Sequence, residues 1–225
     1  GVKRHITLLA GHLDRERFEG VGCFPPQDRV EGVAPNKESF FEAFERLGIR
    51  AIPLDMYREI RPLQDLWTFL KLLCILKKER WDIVHTHSSK AGFLGRVAAR
   101  MIGVPVGVHT PNAFAFDRPH SSLLNFFYIF LEKIAGYFCD ALIAVSPSEE
   151  QLARQSGVVS PGKIVRICNG IDLEEIECSV DPRTKKRALG IPEESPMVLT
   201  IGRFAPQKAP GVFIKAAEEV LAQNR

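Results

Sequence analysis

Residues 81–110, WDIVHTHSSKAGFLGRVAARMIGVPVGVHT, read as strand, helix, strand. Short β-rich runs at 82–86 and 104–109 flank a helix-length amphipathic segment at 90–102, the pattern of a parallel βαβ unit. The alternation continues in both directions. Strands are expected at 5–10, 49–54, 140–145, 163–168 and 197–202, and helices at 36–47, 63–79, 120–138, 147–156, 183–189 and 211–223. The strands are mostly apolar along their length instead of alternating, as when helices cover both faces of a sheet. The expected fold class is therefore α/β, with a doubly wound parallel sheet.

Near residues 169–195 the pattern changes. Asn169-Gly170 marks a turn leaving the sheet, and an acidic, Pro-containing connection leads to a new strand after Pro196. We expect a first domain over 1–175, a linker over 176–195 and the start of a second domain over 196–225. One strand and one helix cannot close a core. The chain also opens without Met and enters an apolar run within five residues. It is read as part of something longer.

Composition narrows the function. A chain of 225 residues, 45% hydrophobic and 25% charged, reads as an ordinary globular protein with a buried core. A net charge of +3, with the basic residues scattered, gives no electrostatic footprint for nucleic acid. Five cysteines, Cys23, Cys74, Cys139, Cys168 and Cys178, form no C-x-x-C pair and are expected as reduced thiols. No apolar run approaches the roughly 18 residues of a membrane span.

The joints between elements carry the chemistry. Ser146-Pro147-Ser148-Glu149 has the spacing of a capping box, with Pro at the first helical position. His85-Thr86-His87-Ser88-Ser89-Lys90 lies where a strand ends and a helix begins, the place where open parallel sheets bind ligands. Ser88 or Ser89 can cap that helix. His85 and His87 share one strand face, which could hold a metal, but no third ligand lies nearby, so packed histidines are the expectation. Lys90 beside free helical N–H groups fits an anion site equally as it fits an exposed first-turn lysine. The helix at 120–138 is apolar over a broad arc; it is read as a buried crossover helix, with contact to a bilayer as the alternative.

In IGRFAPQKAPGVF, residues 201–213, Gly202 permits a tight turn, Arg203 offers a planar fork of donors and Lys208 a point charge, all beside a helix that starts near Pro210. The group could grip a diphosphate or be a surface turn with two solvated cations. Neither a P-loop nor a dinucleotide fingerprint is present.

The order of WDIVHTHSSKAGFLGRVAARMIGVPVGVHTPNAFAF, DALIAVSPSE, VRICNGID and TIGRFAPQK resembles the retaining GT-B glycosyltransferases of the group 1 (GT4) family over nearly the whole chain. The resemblance is closest to members that build capsular, exopolysaccharide or other lipid-linked glycans. It implies a Rossmann-like, acceptor-side first domain lacking its first strand, and the start of a Rossmann-like domain for the nucleotide sugar. The family's G-R-x-x-x-x-K arrangement falls on Arg203 and Lys208, with Gly202, and implies that they bind the donor diphosphate. The segment from His109 to Phe116 resembles the family's H-G-F loop, with Asn112 at the usual His and Ala113 at the usual Gly. The candidates on the acceptor side are Ser88, Ser89, Lys90, His109 and Asn112, and no catalytic residue is assigned.

The resemblance further implies a UDP- or GDP-linked sugar as donor, a glycan or lipid-linked acceptor, no cofactor, no metal, and a cytoplasmic location at the inner face of the membrane with peripheral contact. The family's Gly-rich donor loop is expected before residue 1 and its acidic E-x-x-x-x-x-x-x-E motif beyond Arg225, so the segment by itself is expected to be inactive. Two alternatives stand beside this reading, a GT-B nucleotide-sugar epimerase and a noncatalytic α/β binding or regulatory module.

Overall fold

A computed structural model describes residues 2–26, 39–57, 59–117, 121–173, 180–202, 204 and 208–223. Arg203, Cys178 and the first residues of the expected helix at 36–47 lie outside them. The chain forms two compact units, Gly1–Ile171 and Asp172–Arg225.

The first unit runs α1 (Val2–Gly11), β1 (Val21–Phe24), α2 (Phe40–Arg46), β2 (Arg50–Pro53), α3 (Pro62–Lys78), β3 (Ile83–His87), α4 (Ser89–Ile102), β4 (Val106–Thr110), α5 (Ser122–Tyr137), β5 (Ala141–Ala144), α6 (Pro147–Ser156) and β6 (Ile164–Arg166). Every strand pairing is parallel. β1 pairs with β2, and β3-β4-β5-β6 form a second sheet, with Ile83 opposite Val106 and His87 opposite Thr110. This register aligns the carboxyl ends of β3 to β6 along one edge.

Local chemistry explains these elements. Ser39 caps α2 in a capping box with Glu42. α4 and α6 both end on left-handed glycines, Gly103 and Gly157. Small residues bring α4 onto the sheet: a Cβ on Gly92 would lie 2.3 Å from the His109 ring, and one on Gly95 2.5 Å from Thr86 Cγ2. Two apolar cores result. Phe114, Cys139, Leu142, Ala153 and Val158 fill one, and Leu54, Leu72, Leu76 and Ala98 the other. Cys139 is buried, while Cys23, Cys74 and Cys168 are exposed free thiols.

Three readings of the first unit are corrected. Residues 5–10, read as a strand, lie inside α1, because a six-residue stretch with Ile6, Leu8, Leu9 and Ala10 as its apolar members is too short for its period to separate strand from helix. β1 was not expected at all; it is four residues long and contains Gly22, where a Cβ would lie 2.2 Å from the Phe24 ring. The broad apolar arc of α5 is only half covered. Ala135, Gly136 and Glu132 are buried, but Phe126 is 67% and Tyr137 80% exposed. A single-layer contact with α4 and the sheet can bury only one stripe of a helix.

The second unit contains α7 (Pro182–Ala188), capped by Asp181, and α8 (Pro210–Gln223). Neither buries a residue. The strand expected at 197–202 is not formed; Val198 and Ile201 stand exposed in irregular backbone. A single apolar run finds no neighbour to satisfy its N–H and C=O groups, so no ladder develops.

Candidate active-site cleft at the carboxyl edge of the sheet

A cleft of about 520 Å³ opens at the carboxyl ends of β4 and β5. The turn at Asn112-Ala113 forms one side, the β5–α6 joint at Ser146-Ser148 another, and Gln151, Asn169 and Val2 of α1 complete the lining. Its lining combines amides, hydroxyls and the carboxylates of Asp117 and Glu149 with the apolar Val2, Ala113, Val145 and Leu152, and no Lys or Arg lines it among the described residues. Such a surface suits a neutral, hydroxyl-bearing ligand better than an anion.

The turn itself is strained. Asn112 has φ 53° and Ala113 φ 81°, two successive left-handed residues without a glycine. Asn tolerates this conformation, but an Ala there costs about 1–2 kcal/mol and persists only where its surroundings impose it. Glu149 imposes it. Its carboxylate accepts the Ala113 N–H at 2.6 Å through Oε1 and the Val145 N–H at 2.7 Å through Oε2. Ser146 caps α6 by accepting the Glu149 N–H at 3.1 Å. The capping box expected here is therefore half right: Ser146 caps, while the Glu149 carboxylate spans from β5 to the turn after β4.

The histidines lie beside this edge. The His85 and His87 rings lie 4.2 Å apart between centres, tilted by 35°, and His5 of α1 meets His87 edge-on at 5.5 Å. His85 Nε2 bonds Thr110 Oγ1 at 2.8 Å. Burial, with His5 adding to it, pushes His85 down to about 4; burial followed by His85 and His5 pushes His87 down to about 3. The cluster is uncharged at neutral pH. Among the described residues, no group of three or more His, Cys, Asp or Glu side chains is placed to hold a metal.

The acceptor-side candidates separate in space. Asn112 lines the cleft, its Nδ2 donating to Thr110 O at 3.1 Å. His109 is fully buried, with Nδ1 2.9 Å from Thr86 Oγ1, and burial and then the Arg96 charge hold it well below the usual histidine range. It supports the sheet beneath α4, away from the cleft surface. Ser88 occupies the N-cap position of α4 with φ 65° but makes no side-chain cap, and Ser89 is the first helical residue. Lys90 pairs with the Asp65 carboxylate and donates to the carbonyls of Tyr57 at 2.8 Å and Glu59 at 2.5 Å. Its three donors thus strap the α3 approach to α4.

In the second unit, Gly202 lies against the Lys208 stem: a Cβ there would be 3.5 Å from Lys208 Cγ. Sequence reading missed two things, the Glu149 clamp and the buried Arg96–Glu132 pair at 2.7 Å between α4 and α5. Glu149 and Ala113 are 36 residues apart, so no local pattern announces their contact.

Comparison with known proteins agrees with this architecture. The profile of Glycosyltransferase Family 4 matches residues 1–175. The chain is 38% identical over 168 residues to the Escherichia coli UDP-Gal:alpha-D-GlcNAc-diphosphoundecaprenol alpha-1,3-galactosyltransferase, covering 74% of this chain and 43% of that protein. It is 31% identical over 155 residues to an uncharacterized 41.2 kDa protein in the cps region of Klebsiella pneumoniae, covering 67% and 42%. The chain thus spans less than half the length of these curated relatives. In fold it is similar to Anabaena HepE, solved in complex with UDP-glucose, with a TM-score of 0.59 at 19% identity over 84% of this chain and 46% of that one. It is also similar to a glycosyltransferase from Rickettsia africae, with a TM-score of 0.61 at 18% identity over 91% and 50%. A profile match over residues 1–175, on a parallel α/β unit with its cleft at the carboxyl edge, shows that the chain belongs to Glycosyltransferase Family 4.

Proposed function

We propose that this chain carries the acceptor-side part, and the start of the donor-side part, of a retaining glycosyltransferase that moves a sugar from a UDP- or GDP-sugar to a lipid-linked glycan. The observation that carries the reading is the cleft at Asn112, Ala113 and Ser146, where amides, hydroxyls and carboxylates stand among a few apolar side chains and no cation, a surface suited to the hydroxyls and carbon faces of a sugar. The galactosyltransferase relative, whose name gives a diphosphoundecaprenol-linked GlcNAc as its acceptor, supports the choice of acceptor class.

In the reaction the donor's C1–O bond to its diphosphate breaks while an acceptor hydroxyl bonds C1 on the same face, passing its proton to the departing phosphate oxygen. Negative charge grows on that phosphate. Arg203 and Lys208 are the residues assigned to it, because fixed cations stabilise the transition state more than the ground state. No protein nucleophile is needed. The test is transfer by the full-length protein from a panel of UDP- and GDP-sugars to a polyprenyl diphosphate bearing N-acetylglucosamine, with the product's anomeric configuration read by NMR. A product that keeps the donor's configuration is expected. Inverted product removes the retaining assignment, and nucleotide-sugar conversion without transfer makes the protein an epimerase.

The protein works at a membrane surface in this account. No helix among the described residues is long and apolar enough to cross a bilayer. α5 instead presents Leu123, Phe126, Phe127, Phe130 and Tyr137 as an exposed stripe, and α3 presents Leu63, Leu66, Trp67 and Leu70. Exposed stripes of this size mark interaction surfaces, and a lipid-linked acceptor resides in a bilayer. In co-sedimentation with vesicles of phosphatidylethanolamine and phosphatidylglycerol, the full-length protein is expected to pellet, and the Phe126→Ser, Phe130→Ser double variant to partition at least about tenfold less. A wild-type protein that stays in the supernatant contradicts the membrane seat.

A further inference from the structure

The Glu149 carboxylate holds two backbone N–H groups that belong to two walls of the cleft, Ala113 on the β4 side and Val145 on the β5 side. It is buried and both of its oxygens are engaged, so the side chain cannot swing to solvent without giving up both bonds. Ala113 occupies a backbone conformation that alanine adopts only under constraint, and its N–H bond to Glu149 is that constraint. Asn112, one residue before, presents one of the cleft's amides. Without the carboxylate, Ala113 would relax toward negative φ and Asn112 would move with it.

We infer that Glu149 is a positioning residue for the acceptor sugar: its carboxylate fixes the left-handed Asn112-Ala113 turn against the β5–α6 joint and so sets the shape of the cleft. The inference rests on the proposed function for the identity of the ligand, and on the structure alone for the clamp. It assigns Glu149 no contact with the reacting atoms. Glutamine keeps the size of the side chain but replaces one acceptor oxygen with a donor, so one of the two N–H groups must face another donor.

The experiment compares wild type, Glu149→Gln, Ala113→Gly and the double variant in the full-length protein. Two readouts are taken: amide exchange over the peptide containing Ala113, and steady-state transfer to polyprenyl diphosphate N-acetylglucosamine from the UDP- or GDP-sugar that the panel identifies as donor. Glu149→Gln is expected to speed exchange about tenfold or more and to raise the acceptor KM about tenfold. The donor KM should stay near wild type, with the melting temperature lowered by no more than one unpaired buried N–H accounts for. In the Ala113→Gly background the same substitution should cost less, because glycine holds a positive φ without help. The inference is overturned if Glu149→Gln leaves exchange and acceptor KM unchanged. It is equally overturned if both KM values change together with a lowered melting temperature, since that marks a purely structural role. Absence of transfer by the wild type from every UDP- and GDP-sugar of the panel, with Ala113 still protected, overturns the proposed function and the acceptor role together.

Discussion

Replacing Glu132 with alanine is expected to destabilise the first unit by about 3–5 kcal/mol, the range for breaking a buried ion pair from one side. The Arg96 side chain is fully buried and that of Glu132 is 6% exposed, so neither can rehydrate in place. Arg96 Nη2 donates to Glu132 Oε2 at 2.7 Å and Nε to the Gly92 carbonyl at 2.9 Å, while Nη1 has no partner among the described residues. Removing the carboxylate leaves a guanidinium in a dry interior with one remaining hydrogen bond. Against a total stability on the order of 5–15 kcal/mol, such a loss unfolds a measurable fraction of the chain. Urea denaturation of wild type and Glu132→Ala checks it. An Arg96→Met, Glu132→Leu double variant should recover most of the loss, because apolar pairs of similar volume replace buried ion pairs at little cost. A Glu132→Ala loss below about 1 kcal/mol would show that the pair is hydrated and the interior between α4 and α5 open.

That pair also shows where sequence reading stops. Elements announced by local chemistry were legible: α6 begins at Pro147 after Ser146 and ends at Ser156 before Gly157, as expected from the cap and the helix span. β3, α4 and β4 emerged from residues 81–110 because two β-rich runs flank one amphipathic stretch. Where the signal depended on partners, it failed. The apolar run at 5–10 became a helix, and the equally apolar run at 197–202 became no element at all, since a strand exists only when another strand accepts its hydrogen bonds. The width of the apolar arc on α5 was visible, but which part of it would be covered was not.

The candidate site divides in the same way. Its location at the carboxyl edge follows from parallel topology, and Asn112 was legible there from its place in the motif. His109 and Lys90 occupy motif positions too, yet one is sealed beneath Gly92 and the other engaged by Asp65 and two carbonyls. Motif position fixes where a side chain starts, and tertiary neighbours decide what it meets. Glu149 was seen as a helix cap because its remote partner, Ala113, arrives only through the fold.

Single substitutions Arg203→Ala and Lys208→Ala are expected to weaken donor binding by about 1.5–3 kcal/mol each, roughly 10- to 150-fold, as for lost charge-assisted hydrogen bonds. Lys→Arg at 208 should restore only part of the affinity, because a point charge and a planar fork grip phosphate oxygens differently. The two effects need not add, since both cations would face one diphosphate. Affinity for the sugar without its nucleotide should be insensitive to either change.

The central proposal is that Arg203 and Lys208 form the diphosphate grip of a sugar-nucleotide transferase. Its most direct test is calorimetric titration of UDP, GDP and a panel of UDP- and GDP-sugars into the full-length protein and its Arg203→Ala, Lys208→Ala variant. The account predicts binding of one nucleotide series by the wild type and loss of that binding in the variant. A wild-type protein that binds neither series, or a variant that binds as tightly as wild type, would contradict it.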